Sequence, residues 1–117
     1  MSLNLLLRCH DLEATRRFYQ EALGFQAQAT ATGTLTVEHD GNSLIFTTED
    51  LWGKPPGFSG TIYFTLADVD GYFAGIKDRV VIAWPVQNMP YGSREFGIED
   101  CNGYYLAFQQ AATSKRR

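Results

Sequence analysis

Apolar residues in the first part of the chain follow two spacings, one typical of strands and one typical of helices. Residues 4–9 form a short apolar run that stops at His10-Asp11. Because Asp is a favoured N-cap residue, this pattern predicts a strand followed by the start of a helix. Apolar positions then recur every three or four residues over 12–23, and Gly24 follows. That spacing predicts an amphipathic helix ending at the glycine.

Three β-leaning stretches follow the predicted helix, at residues 25–30, 34–38 and 43–48. Thr32-Gly33 and Asp40-Gly41-Asn42 separate them, and both are sequences typical of hairpin turns. The first part of the chain therefore predicts the element order β-α-β-β-β.

The same order is predicted again after a segment rich in Pro and Gly, which cannot continue a central strand. The second series comprises a strand at 61–66, an N-cap at Asp68, a helix at 69–79, and strands near 80–83, 94–99 and 104–109. We therefore predict one domain made of a first module at about 3–50, a linker at 51–59, a second module at about 60–110 and a disordered tail at 111–117.

A short sequence match supports an internal repeat. Gly41-Asn42-Ser43-Leu44-Ile45-Phe46 aligns with Gly103-Tyr104-Tyr105-Leu106-Ala107-Phe108 at an offset of 62 residues (103 − 41), with Gly, Leu and Phe in common. The two predicted N-caps, Asp11 and Asp68, are offset by 57 residues (68 − 11), so the copies differ by insertions. The expected fold is α+β, with two βαβββ modules whose curved mixed sheets surround a cleft.

Composition and charge narrow the classes of partner. The chain has 117 residues, 44% of them hydrophobic and 20% charged, as in ordinary globular domains. Its net charge is −3, and the basic residues cluster only at 115–117, which disfavours nucleic acid and leaves room for a cationic or neutral small molecule. The longest apolar run, 80–84, is too short to cross a membrane. Without a recognisable secretory signal, we expect a cytoplasmic location, with Cys9 and Cys101 as thiols.

Two segments resemble a known family. Residues 11–25 carry the pair Phe18-Tyr19 before Leu23-Gly24, and residues 90–103 carry Ser93-Arg94-Glu95-Phe96 before the turn Asp100-Cys101-Asn102-Gly103. In these motifs, and over 4–109 as a whole, the chain is similar to the vicinal-oxygen-chelate superfamily of glyoxalases, bleomycin-resistance proteins and extradiol dioxygenases. The resemblance is strongest to the bleomycin-resistance proteins, and it implies a homodimer.

The resemblance also predicts where a metal ion would be held. Metal-dependent members use His, Gln or Glu side chains at positions that fall here on Asn4, Ile45, Thr61 or Ile62, and Ala107. None of these is a good ligand, and Ile and Ala have no donor atom. His10, His39, Cys9 and Cys101 form no metal-binding spacing in the sequence, so structural or surface roles are favoured for them. We therefore expect neither a metal nor another cofactor.

A ligand would then be held by aromatic and polar side chains. If Ile45 and Ala107 face the cleft, strand alternation brings Ser43, Thr47, Tyr105 and Gln109 to the same side, and carries Leu6 and Arg8 with Asn4. Arg8 would pair with a ligand carboxylate or phosphate. Phe64 and Phe96 are also typical core residues, and Arg94-Glu95 has the alternative role of an ion pair within the last hairpin. The expected ligand-binding residues are Arg8, Trp52, Phe64, Trp84, Tyr91, Phe96 and Tyr105.

Three functions are compatible with the sequence. The favoured one is a metal-independent binding protein that sequesters an amphipathic or aromatic molecule, such as a bleomycin-like antibiotic, in the cleft of a homodimer. The second is a small lyase, isomerase or dioxygenase with an atypical metal site or none, although no catalytic residue is recognisable. The third is an interaction or sensor domain whose sheet face pairs with another protein.

Overall fold

A computed structural model describes residues 5–30, 33–53 and 60–111 of the chain. The chain divides into two compact units, Met1–Ser59 and Gly60–Arg117, and each contains one four-stranded sheet. The elements are β1 (Leu6–Arg8), α1 (Leu12–Arg17), a π-helical segment (Phe18–Ala22), β2 (Gln26–Ala29), β3 (Thr34–His39), β4 (Asn42–Thr47), β5 (Thr61–Thr65), α2 (Val69–Ile76), β6 (Val81–Asn88), β7 (Ser93–Glu99) and β8 (Tyr105–Ala111).

In the first unit the strands lie in the order β1-β4-β3-β2, with β1 parallel to β4 and the other pairs antiparallel. Asp11 caps α1, since its carboxylate accepts hydrogen bonds from the backbone N–H groups of Glu13 and Ala14. The π-helical segment buries Tyr19 completely, against Phe25 and Phe46. The core of this unit also contains Leu7, Cys9, Leu23, Leu35, Val37 and Leu44.

The second unit has the same topology, with strand order β5-β8-β7-β6 and β5 parallel to β8. Asp68 caps α2 by accepting from the Gly71 N–H at 3.0 Å. Beneath α2, Phe108 stacks on both Phe64 and Phe96, with ring centroids 5.2 and 5.3 Å apart. The remaining strand residues of this core are Ile62, Ile98 and Leu106.

The strand registers confirm the internal repeat. Leu6 pairs with Ile45 in the first unit and Tyr63 pairs with Ala107 in the second. Leu6 and Tyr63 differ by 57 residues (63 − 6), whereas Ile45 and Ala107 differ by 62 (107 − 45). These are the two offsets found in the sequence, so the prediction of an α+β fold with two similar modules is confirmed. The extra residues of the second unit lie between its helix and its last strand.

Several predicted boundaries differ from the structure. The first helix is not one regular α-helix, because it changes to π geometry at Phe18. Strand β6 does not stop before Pro85 but continues to Asn88, which is possible because β6 is an edge strand whose register shifts on both sides of Trp84. The predicted metal position Asn4, most of the predicted linker (54–59) and most of the predicted tail (112–117) lie outside the described residues.

Two further expectations concern the thiols and the membrane. Cys9 is buried and Cys101 is exposed, and neither is joined in a disulfide within the described ranges. In the part of the chain that the structure describes, no helix has the length and apolar character needed to span a membrane.

Candidate functional site

One face of the second sheet, opposite to α2, carries exposed aromatic side chains. Neighbouring residues of a strand point to opposite faces, and Phe64, Phe96 and Phe108 occupy the α2 side. Tyr63 on β5 and Tyr105 on β8 therefore point the other way, and they are 48% and 43% exposed. We define the open face of the second unit as Thr61, Tyr63, Thr65, Trp84, Tyr91, Glu95, Gly97, Tyr105, Ala107 and Gln109.

Glu95 is a buried carboxylate at the centre of this face. Its side chain has no solvent exposure. Oε1 accepts hydrogen bonds from the Tyr91 hydroxyl at 2.7 Å and the Ser93 hydroxyl at 3.2 Å, and Oε2 accepts from Trp84 Nε1 at 3.1 Å. Burying a carboxylate is costly unless hydrogen bonds compensate, so these three donors explain how Glu95 is accommodated.

Tyr91 connects the carboxylate to the surface. Its turn is closed by hydrogen bonds from Met89 N to Ser93 O and from Gly92 N to Met89 O, while its ring stays 62% exposed. The Tyr91 hydroxyl donates its one proton to the hydrogen bond with Glu95 and also interacts with the neighbouring Tyr63 hydroxyl. The pKa of Tyr91 is raised above its ordinary value, mainly by the hydrogen bond to Glu95 and secondly by the interaction with Tyr63. Tyr91 is therefore a neutral donor over the physiological pH range.

Trp84 lies flat against the backbone of Gly97 on the adjacent strand. A Cβ atom added at Gly97 would stand 2.4 Å from the indole carbons, which is far inside van der Waals contact. The close approach therefore requires glycine, and it directs Nε1 toward Glu95. Gly97 and Ala107, which are paired in the sheet, form a floor of minimal side chains beside the larger rings.

No positively charged residue in the described ranges pairs with Glu95. The predicted ion pair between Arg94 and Glu95 does not form, because adjacent strand residues point to opposite faces. Arg94 instead pairs with Asp70 on α2, from Nε at 2.8 Å and from the terminal nitrogen Nη2 at 2.9 Å. Arg94 keeps the pKa of the Asp70 carboxyl below its usual range, mainly through these hydrogen bonds. The carboxylate of Glu95 is thus surrounded by neutral donors.

Three of the seven residues expected to bind a ligand belong to the open face. Trp84 and Tyr91 meet at Glu95, and Tyr105 lies on the same side of the sheet, opposite Glu99. Phe64 and Phe96 require a correction, because they are 2% and 0% exposed and pack under α2 rather than on the open face. Ile62, two residues before Phe64 on the same strand, is buried as well. The pairing of Tyr63 with Ala107 shows that Thr61, Tyr63 and Thr65 are the β5 residues on the open face.

The other two expected residues, Arg8 and Trp52, belong to the first unit. Arg8 forms an ion pair with Asp50 at 3.7 Å, so its charge is already compensated by a carboxylate. Asp50 also accepts hydrogen bonds from the backbone N–H groups of Trp52 and Gly53. The Trp52 side chain remains 45% exposed. Asp50 therefore links both residues and orders the chain that follows β4.

The residues at the family's metal positions do not fit a metal ion. Ile45 and Ala107 offer no donor atom, and register places Thr61 rather than Ile62 on the open face. Within residues 5–30, 33–53 and 60–111, no three His, Cys, Asp or Glu side chains come close enough together to hold a metal. His39 stacks on Phe25 at 5.0 Å, and His10 is exposed.

A depression of about 300 Å³ lies beside His39 in the first unit. It is lined by Gly24, Gln26, Glu38, His39 and Asp40. Small-molecule sites are usually lined by apolar and aromatic groups with a few polar ones, whereas this lining is almost wholly polar. The open face of the second unit is the stronger candidate.

Sequence reasoning missed Tyr63, Ser93 and the central position of Glu95. The signal was present for Glu95, because strand alternation from the core residue Phe96 places its neighbour on the opposite face. Tyr63 was available by the same argument from Phe64. Alternation also places Ser93 beside Glu95, two residues away on β7. The hydrogen bond of Trp84 depends on the irregular register of β6, which alternation does not specify.

Comparison with known proteins agrees with this architecture. No curated protein matches the sequence. Among solved structures, a glyoxalase/bleomycin resistance protein/dioxygenase from Nocardioides is 18% identical, with 99% of this chain and 86% of that chain covered at a TM-score of 0.74. A glyoxalase/bleomycin resistance protein/dioxygenase from Alicyclobacillus acidocaldarius is also 18% identical, covering 95% and 91% at 0.75. TioX from Micromonospora sp. ML1 is 17% identical, covering 95% and 98% at 0.75.

At these identities the structural likeness shows the fold alone. The family is shown by the sequence, since residues 3–108 match the model of the Glyoxalase/Bleomycin resistance protein/Dioxygenase superfamily. This match covers both βαβββ units as far as Phe108, and every residue of the open face except Gln109. The chain therefore belongs to the Glyoxalase/Bleomycin resistance protein/Dioxygenase superfamily.

Proposed function

We propose that this protein binds an amphipathic or aromatic small molecule on the open face of the second unit, without a metal ion. The observation that supports the proposal best is the set of exposed rings on that face. Tyr63, Tyr91 and Tyr105 are each more than 40% exposed. Clustered apolar surface of this kind is uncommon on a protein unless something binds there.

The chemistry of the face suits a flat molecule with a polar end. Ring stacking contributes about 0.5–1.5 kcal/mol per pair beyond the burial of apolar area. The Tyr hydroxyls and the Gln109 amide supply directed hydrogen bonds beside the rings. A few convergent polar groups within an aromatic surface are the usual composition of small-molecule sites.

The metal-free part of the proposal rests on the residues at the family's ligand positions. Ile45 and Ala107 provide no donor atoms, and a change of rotamer cannot supply one. The binding energy must therefore come from the rings and hydrogen bonds of the open face rather than from coordination.

A thermal-shift screen tests the proposed function. The chelator-treated protein is mixed with bleomycin and a panel of amphipathic aromatic compounds, and hits are measured by calorimetry. A ligand at one hundred times its Kd adds about 2.7 kcal/mol to the free energy of unfolding. Tyr105→Ser should weaken a hit about three- to tenfold, whereas Leu51→Ser, which removes a 58% exposed side chain from the first unit, should not. An affinity unchanged by Tyr105→Ser would place the ligand elsewhere.

We further propose, from the family resemblance, that the protein forms a homodimer whose cleft holds the ligand. Light scattering coupled to size-exclusion chromatography measures the mass directly. A mass of about twice the 13.1 kDa chain supports the dimer, and a monomer at working concentrations would leave the open face as a site in a single chain.

Glu95 supports a second candidate function, a metal-free enzyme of the lyase or isomerase kind. A carboxylate on the ligand face is the type of group that removes a proton from a bound substrate. Mass spectrometry of a hit after long incubation distinguishes the two functions. Recovery of unchanged ligand supports binding alone, whereas conversion that is lost in Glu95→Gln supports the enzyme.

A further inference from the structure

We infer that the ligand of the open face carries a positively charged nitrogen, which is held by the rings of Tyr63 and Tyr91 in front of the Glu95 carboxylate. This inference rests on the proposed function and makes its ligand more specific. The chemical class is an aromatic or amphipathic molecule with a substituted ammonium or protonated amine group.

The Glu95 carboxylate is held by uncharged donors. A carboxylate has about four acceptor positions, and three of them are occupied by Trp84, Tyr91 and Ser93. All three donors are neutral, so they stabilise the carboxylate without cancelling its charge. Arg94, the positively charged residue next to Glu95 in the sequence, is paired with Asp70 on the other face of the sheet. Among the described residues, no cationic side chain is therefore paired with the Glu95 carboxylate.

The Glu95 carboxylate lies behind the exposed tyrosine rings, away from water. Glu95 has no solvent exposure, so water screens it less than a surface carboxylate. The hydroxyl of the exposed Tyr91 donates to Glu95 at 2.7 Å, so an exposed ring is in direct contact with the buried carboxylate. A cation resting on the rings would meet both this charge and the negative faces of the aromatic systems.

An organic cation fits this site better than a metal ion. A small metal ion needs several oxygen or nitrogen ligands, and Glu95 provides a single carboxylate that is largely occupied by donors. A substituted ammonium is weakly hydrated and is recognised by aromatic rings around it. A net charge of −3 for the whole chain also favours a cation over an anion.

Two probes of nearly identical shape test the inference. The compound (4-hydroxyphenyl)trimethylammonium carries a charged nitrogen where 4-tert-butylphenol carries a neutral carbon. Binding is followed by the indole N–H signal of Trp84 in nitrogen-edited NMR spectra, identified by its presence in the Trp52→Phe variant. Wild type should bind the charged probe at least about tenfold more tightly, and Glu95→Gln should reduce this preference to about one. Asp78→Asn, which removes an equal charge from an exposed site, should keep the preference.

The outcomes separate the two proposals. Equal affinity of the wild type for both probes would overturn the inference and leave the proposed function standing. Binding of neither probe, together with an empty aromatic panel, would overturn both. If Glu95→Gln does not fold, Tyr91→Phe gives the second test, because it keeps the ring and the carboxylate. Its preference for the charged probe should be retained, and a loss of that preference would contradict a role for the Glu95 charge.

Discussion

The Glu95 side chain contributes both to the stability of the fold and to the arrangement of the proposed binding site. A buried carboxylate is tolerated because Trp84, Tyr91 and Ser93 direct their donors at it, and the same contacts orient two aromatic side chains of the open face. Residues that hold a site in this way affect both folding and affinity. Substitutions at this position should therefore change both quantities.

Replacing Glu95 by Ala should lower the free energy of unfolding by about 1–3 kcal/mol, because it leaves partly buried donors without their acceptor. Ser93→Ala is the matched control, since it removes one neutral donor and should cost about 0.5–1.5 kcal/mol. Urea denaturation of the three proteins measures the difference. Equal stability of Glu95→Ala and wild type would show that water satisfies these donors easily.

Gly97→Ala should displace Trp84, since the new Cβ would stand 2.4 Å from the indole ring. We expect a loss of about 1–3 kcal/mol in stability and a changed Trp84 emission spectrum, recorded in a Trp52→Phe background. Gly75→Ala on α2 meets no atom within 4 Å and should stabilise the protein by up to about 1 kcal/mol. An unchanged Trp84 spectrum in Gly97→Ala would contradict the described contact.

At the level of elements, the two helices are fixed by the same device at their N-termini. Asp11 and Asp68 each accept backbone hydrogen bonds in the first turn. Asp68→Ala and Asp11→Ala should each lower the free energy of unfolding by about 0.5–2 kcal/mol, and calorimetric melting measures this. Substitution by Asn should restore most of the loss, because its side-chain oxygen also accepts. No rescue by Asn would mean that the negative charge matters more than the hydrogen bond.

The Arg94–Asp70 ion pair joins β7 to α2 and gives stability a pH dependence. The pKa of Asp70 is lower in the folded protein than its ordinary value of 3.8, mainly because of hydrogen bonds from Arg94. Its contribution is thus present above pH 3.8 and disappears as the pH falls through the folded pKa. Asp70→Asn should be less stable than wild type at pH 7, and the difference should vanish in strong acid. A difference that does not shrink as the pH falls below 3.8 would contradict this origin.

The predictability of the structure differed between elements. Periodicity and capping residues identified both helices and all eight strands, because each signal is local. The π-helical geometry at Phe18 and the extension of β6 through Pro85 were not predictable, since both depend on tertiary packing and on the edge position of the strand. Alternation correctly placed Tyr105 opposite the core. It was not applied to Arg94-Glu95, and the ion pair expected between them is wrong.

At the scale of the whole molecule, the two repeated units share a topology but differ in the side chains on one sheet face. Both units have the same topology, yet Leu6 and Ile45 of the first correspond to Tyr63 and Ala107 of the second. The β6–β7 hairpin of the second unit is longer than the β2–β3 hairpin of the first, and it contributes Trp84, Tyr91 and Glu95. The two units therefore share one scaffold, while the aromatic and charged groups of the open face belong to the second unit alone.

The most direct test of the account is the metal dependence of ligand binding. The tightest compound from the aromatic panel is titrated by calorimetry into chelator-treated protein, and again after stoichiometric Zn, Ni, Mn, Co or Fe(II) is added. We expect the same Kd in every titration, because the open face binds through its rings and hydrogen bonds. Binding that appears only after a metal is added would contradict the account and would make coordination the basis of the site.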